Sequence, residues 1–158
     1  MYKFLIPWAF IVCSLYGNAN DKQASVKALS PQESIKTMQI PEGYELQVVA
    51  SEPMIQEPVD CVWDANGNLY VIEMSTYMQD ADATGQFERT SRVMKLVDTD
   101  GDGKMDSSSV FVDKLLLPRM ILALDDRILI CETDTLDIHA YRDTNGDGKA
   151  DEKKLWYK

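Results

Sequence analysis

Residues Arg92–Asp106 read RVMKLVDTDGDGKMD, and residues Ile138–Asp151 read IHAYRDTNGDGKAD. Each is a run with strand character that ends in an acidic turn carrying glycine at its sixth position. Working outward, VWDANGNLYVIE (Val62–Glu73) precedes the first run and LALDDRILICE (Leu122–Glu132) precedes the second. They align with the turn shorter by two residues in the second copy, which sets Glu73 opposite Glu132. Each unit then reads strand, turn, strand, connection, strand, acidic loop, strand. Four strands recurring every ~45 to 60 residues are the sequence mark of a β-propeller blade. The expected fold is all-β: a partial β-propeller of about two to three four-stranded blades of a six-bladed type, with a short N-terminal helix.

Local signals agree with that outline. Ser30-Pro31 with Glu33 three residues after the cap predicts a helix start, and Pro41 and Gly43 predict an early stop. YELQVVA (Tyr44–Ala50) alternates and is β-branched enough to predict a strand. Asn66-Gly67 in DANGN tolerates the positive φ of a tight turn. Between its second and third strands the first unit carries about 14 residues that the second lacks, within Ser75–Arg92, and such insertions collect function. That loop is expected on the face where a substrate would enter.

The acidic turns carry the clearest chemistry. The spacing D-x-[DN]-x-D-G-x-x-D sets side-chain oxygens at positions 1, 3, 5 and 9, with a backbone carbonyl at position 7 and a glycine to allow the bend, as in an oxygen cage for Ca²⁺. The candidate ligands are Asp98, Asp100, Asp102, the Lys104 carbonyl and Asp106 in the first loop. In the second they are Asp143, Asn145, Asp147, the Lys149 carbonyl and Asp151. Position 12, a bidentate Glu in an EF-hand, is Ser109 or Lys154, and the flanks read as strands. The expectation is a structural calcium clip on a β-hairpin.

Other candidates carry two readings each. His139 is a packed or surface imidazole, or a ligand or base. Glu73 and Glu132 are satisfied strand-end carboxylates, or acids facing a channel. Asp60, Tyr77 and Arg119 flank the same strand ends as possible ligand contacts. Cys61 and Cys131 lie in apolar runs without CxxC spacing, as two buried thiols or as a disulfide. No haem-attachment CxxCH occurs in the sequence.

The N-terminus reads as an export signal, an apolar run from Phe4 to Tyr16 followed by small residues at Gly17 and Ala19. The alternatives are a lipoprotein acylated at Cys13 and an uncleaved anchor, and a membrane is an expected partner only through such an uncleaved signal or anchor. The expected division is a signal peptide at residues 1–19, a linker with the short helix at 20–40, and an incomplete β-propeller domain at 41–158. Location would be periplasmic or cell-surface in a bacterium. The net charge of −10 argues against nucleic acid and anionic lipid as partners.

Taken in order, IPEGYELQVVASEPMIQEPVDCVWDANGNLYVIEMSTY, DTDGDGKMD, LLLPRM, LDDRILICET and YRDTNGDGKADEK resemble the amino-terminal part of membrane-bound dehydrogenase β-propellers. These are large exported bacterial proteins, similar to glucose/sorbosone dehydrogenases and often fused to cytochrome c. The resemblance spans about residues 30–158. It implies a parent that uses Ca²⁺ and pyrroloquinoline quinone, oxidises a sugar or alcohol, and passes electrons to haem c in a cytochrome c domain. About 45 residues per blade would make six blades roughly 270 residues, so the expectation is a truncated portion, inactive alone, whose ending EKKLWYK breaks off where a further strand should begin. No catalytic or quinone-binding residue transfers to this sequence, and whether the chain is an enzyme stays open. The alternative is a non-catalytic propeller-type module, stabilised by Ca²⁺, that binds carbohydrate or protein.

Overall fold

The computed structural model describes residues 27–158. The expected signal peptide and the first part of the linker, residues 20–26, lie outside the described residues. Helix α1 (Pro31–Ile35) begins as its sequence dictates: the Ser30 hydroxyl accepts the Glu33 N–H, and the Glu33 carboxylate accepts the Ser30 N–H at 2.9 Å. This reciprocal cap satisfies donors that a first helical turn otherwise leaves bare.

Eight strands follow: β1 (Pro58–Trp63), β2 (Leu69–Glu73), β3 (Ser91–Val97), β4 (Ser107–Leu115), β5 (Pro118–Leu124), β6 (Arg127–Glu132), β7 (Ile138–Arg142) and β8 (Glu152–Tyr157). They form two antiparallel four-stranded sheets, ordered β1-β2-β3-β4 and β5-β6-β7-β8. The fold is thus all-β, with almost no helix. Pro58 pairs with Glu73 and Pro118 with Glu132, so the two hairpins span 15 and 14 positions. The second turn is therefore shorter by one residue, not two, because Asp125-Asp126 replaces Ala65-Asn66-Gly67 between otherwise equivalent strands. The register makes Leu69 equivalent to Ile128 and Leu96 to Tyr141. Glu73 to Leu96 is 23 positions and Glu132 to Tyr141 is nine, which returns the expected 14-residue insertion.

Two further expectations are corrected. EKKLWY is itself β8, the fourth strand of the second sheet, and does not break off where a further strand should begin. YELQVVA joins neither sheet and has no ladder partner. It packs through Val49 and Ala50 on the outward face of the first sheet.

Side-chain alternation explains the burial. On β2, Tyr70 and Ile72 face the second sheet and join Val93, Phe111, Ile121, Ile128, Ile130 and Tyr141 in the main core. Leu69 and Val71 face the other way, against Met94, Leu96, Met105 and residues 49–55. With both faces covered, all five residues of LYVIE are buried. That is the physical basis of its unbroken apolar character, since an antiparallel strand with one wet face would alternate.

The connections segregate. At one end lie the turn Asp64–Asn68, the turn Asp125-Asp126 and both acidic loops. At the other lie residues 51–57, the long connection 74–90, the link Leu116-Leu117 and residues 133–137.

Candidate metal centre

The two acidic loops share one pattern of side-chain-to-amide hydrogen bonds. Asp98 accepts the N–H of Gly101 at 2.7 Å and of Gly103 at 2.8 Å through its two oxygens; Asp143 accepts Gly146 and Gly148 at the same distances. At position 3, Asp100 and Asn145 accept the amides of Asp102 and Asp147. At position 5, Asp102 and Asp147 accept those of Lys104 and Lys149. At position 9, Asp106 and Asp151 accept both the amide and the hydroxyl of Thr99 and Thr144. Short carboxylate and carboxamide side chains capture backbone donors a few residues ahead, which is why D, N and G fill these turns. Gly103 and Gly148 sit at φ +87° and +86°, a region that costs a side-chain-bearing residue about 1–2 kcal/mol.

Electrostatics follow from this wiring. The Thr99 amide and hydroxyl hold Asp106 below the ordinary carboxylate range. The Lys104 ammonium and amide do the same for Asp102. Partial burial works against ionisation of Asp143, but the Gly148 and Gly146 amides outweigh it and keep that carboxyl low. Asp102, Asp106 and Asp143 are thus held as anions by donors within their own loops.

Asp98, Asp100 and Asp106 present oxygens all within 4.8 Å of one another. Such hard oxygen donors fit Ca²⁺, since an amide uses one lone pair of an oxygen and leaves the other. Asp102 does not join that group; its second oxygen pairs with Lys104 Nζ at 2.9 Å. Asp143, Asp147 and Asp151 do not converge as closely, with the neutral Asn145 between them. The Lys104 and Lys149 positions remain candidates only through their carbonyls.

Each loop also reaches backward along the chain. The Met105 amide donates to the Val49 carbonyl, and the equivalent Ala150 amide donates to the Phe111 carbonyl, both at 2.9 Å. The second loop is thereby fastened to β4 of the first sheet, and the first loop to residues 47–49, where Gln47 Nε2 also bonds the Asp102 carbonyl.

The remaining candidates gather at the opposite end. Glu73 and Glu132 are 3% and 4% exposed. Glu73 accepts the Gln56 N–H at 2.7 Å and pairs with Arg92; Glu132 accepts the Leu116 N–H at 2.8 Å and Arg89 Nη1 at 2.7 Å. Gln56 and Leu116 each lie two residues before a strand-opening proline. The residues between, Glu57 and Leu117, have φ +46° and +43°. Both glutamates are therefore latches for a sharp entry into the first strand of a sheet. The paired E at equivalent strand ends was visible in sequence, but its amide partners were not, because they depend on that left-handed backbone.

Tyr77 and Arg119 come together, the guanidinium 5.1 Å from the ring centroid, with Thr133 Oγ1 accepting Arg119 Nε. They line a cleft of about 230 Å³ with Val59 and Met74. Asp60 stands apart from that cleft, accepting the Cys61 amide. His139 lies on β7 near Tyr141, with Nδ1 buried and without a hydrogen-bond partner among the described residues. Among the described residues Cys61 and Cys131 form no disulfide; Cys61 is exposed, which corrects the reading of two buried thiols. It lies on the edge strand β1, which no neighbouring strand covers on that side. Sequence reasoning missed Arg89, whose guanidinium ties the long connection to Glu132 and, at 2.5 Å, to Asp134 in the connection that follows β6. Among the described residues no helix is long and apolar enough to cross a membrane.

The family model described as "Domain of unknown function (DUF7133)" matches residues 30–158. No curated protein and no solved structure matches the chain. The matched span takes in α1, both sheets, both acidic loops and both glutamate latches, and the chain belongs to that family of domains of unknown function.

Proposed function

We propose that the chain is the amino-terminal portion of an exported β-propeller in which each acidic loop binds a structural Ca²⁺, and that the whole protein is related to quinone-dependent sugar or alcohol dehydrogenases. The supporting observation is that two loops sharing one pattern of side-chain-to-amide hydrogen bonds each donate a backbone amide to the element before them. An ion seated among Asp98, Asp100, Asp102, the Lys104 carbonyl and Asp106 would relieve their mutual repulsion and stiffen the amide at Met105. Asp143, Asn145, Asp147, the Lys149 carbonyl and Asp151 would serve Ala150 in the same way. The ion's chemistry is charge neutralisation alone. Substrate chemistry belongs at the other end, near the insertion, Tyr77 and Arg119. Pyrroloquinoline quinone and haem c belong, on this reading, to other parts of a longer polypeptide, and no residue described here is assigned to either. The alternative, a non-catalytic module binding carbohydrate or protein, draws its support from Glu73 and Glu132, both consumed as latches instead of standing free as acids.

The test is calcium titration of the chelator-treated chain by calorimetry, with melting followed in parallel. Two sites with affinities of about 10⁻⁴ to 10⁻³ M are expected. At 100 times the dissociation constant each would add about 2.7 kcal/mol of stability. Asp98→Ala and Asp143→Ala should each delete one site. No binding heat and no rise in melting temperature at 10 mM Ca²⁺ would overturn the clip.

A further inference from the structure

Residues 44–50 alternate like a strand yet join no ladder among the described residues. Among the described residues, the one backbone hydrogen bond made by residues 45–50 is the Val49 carbonyl's acceptance of the Met105 amide. The second loop shows what that bond means, because its counterpart, Ala150 to Phe111, ends on β4. A second contact fixes the same offset. Gln47 sits over Gly103, its Nε2 3.2 Å from where a Cβ would stand, and Ser109 Oγ sits over the equivalent Gly148 at 3.4 Å. Gln47 to Ser109 and Val49 to Phe111 are both 62 positions. Side chains agree: Val49 and Ala50 pack on Leu69, Val71 and Leu96, whose equivalents Ile128, Ile130 and Tyr141 form the core in which Phe111 sits.

We infer that Tyr44–Ala50 is the outer strand of another four-stranded sheet of this repeat, and that its free edge takes the third strand of a three-stranded partner. The register follows from β3 and β4. Leu96 faces Ser108 and Met94 faces Val110, so the incoming antiparallel strand lays its equivalents of Leu96 and Met94 opposite Leu46 and Val48. Main-chain bonds would supply the affinity, as in strand addition to a sheet edge. This rests on the propeller reading and adds a ring-closing partner to it, since in a ring the sheet before the first is the last.

Amide hydrogen exchange tests it, using the chain with and without a synthetic peptide of β3 sequence, SRVMKLV. Saturating peptide should slow the amides within residues 45–50 at least tenfold, and a Lys95→Pro version of the peptide should leave them unchanged. No slowing there, or slowing only at β1, β5 or β8, overturns the inference. Slowing without peptide that grows with protein concentration also overturns it, because a second copy would then be the occupant. The Met105 and Ala150 amides separate this from the premise. Both protected in the chain alone, with residues 45–50 indifferent to peptide, sinks the edge but keeps the repeat. Ala150 protected and Met105 free sinks the equivalence, and both free sinks the sheet-on-sheet reading with it.

Discussion

Removing the Glu132 carboxylate is the sharpest test of how the sheets are joined. Glu132 is 4% exposed and one oxygen serves two donors, the buried Leu116 amide at 2.8 Å and Arg89 at 2.7 Å. In Glu132→Ala the amide loses its acceptor where water does not reach, at a cost of about 1–3 kcal/mol. Arg89 is half-exposed and rehydrates, so its lost pairing adds no more than about 1 kcal/mol. The sum is about 1–4 kcal/mol, a large share of the ~5–15 kcal/mol available to a domain. For a domain of this size that lowers the melting temperature by roughly 3–16 °C. Glu132→Gln keeps an acceptor for Leu116 and should cost about half as much. Chemical denaturation of the three proteins at neutral pH and one calcium concentration measures the difference. An alanine variant within about 0.5 kcal/mol of the parent, a change usual at ordinary surface sites, would refute the latch.

Two other outcomes are expected. Gly103→Ala and Gly148→Ala should each destabilise by about 1–2 kcal/mol, because both positions hold positive φ; equilibrium denaturation equal to the parent would contradict that backbone. Tyr70 is pushed up to about 12 by burial, with the Asp64 and Asp143 charges adding to it. A neutral phenol favoured in the fold gives stability that is whole below pH ~10 and lost as pH rises through about 12. Burial also pushes Tyr141 up, so absorbance titration should show late phenols of which Tyr70→Phe removes one, and ionisation of that one near 10 would refute the assignment.

Much of the fold was legible because its signals are local. The doubled D-x-[DN]-x-D-G turn, Asn66-Gly67 and the capped Ser30 each determine their own backbone within a few residues. The repeat of LYVIE and ILICE set the sheet order. What escaped the sequence depends on distant partners. YELQVVA has strand composition but no ladder, since pairing needs a neighbour at the right edge. Cys61 lies in an apolar run yet is exposed, because β1 is an edge. Asp102 fits the ligand spacing but turns to Lys104, a local pairing that the motif's spacing does not encode. Arg89 carried no motif at all; its partners are 43 and 45 residues away.

The backward-reaching amides of Met105 and Ala150 give assembly a direction. Every acidic turn grasps a segment made earlier on the ribosome, never one still to come. Sheets fastened this way dock in the order of their synthesis, and a partly emerged polypeptide already has the surface that its next piece requires. Lengthening such a protein by duplication needs no new joint, because the copied turn brings its own fastening to the strand behind it.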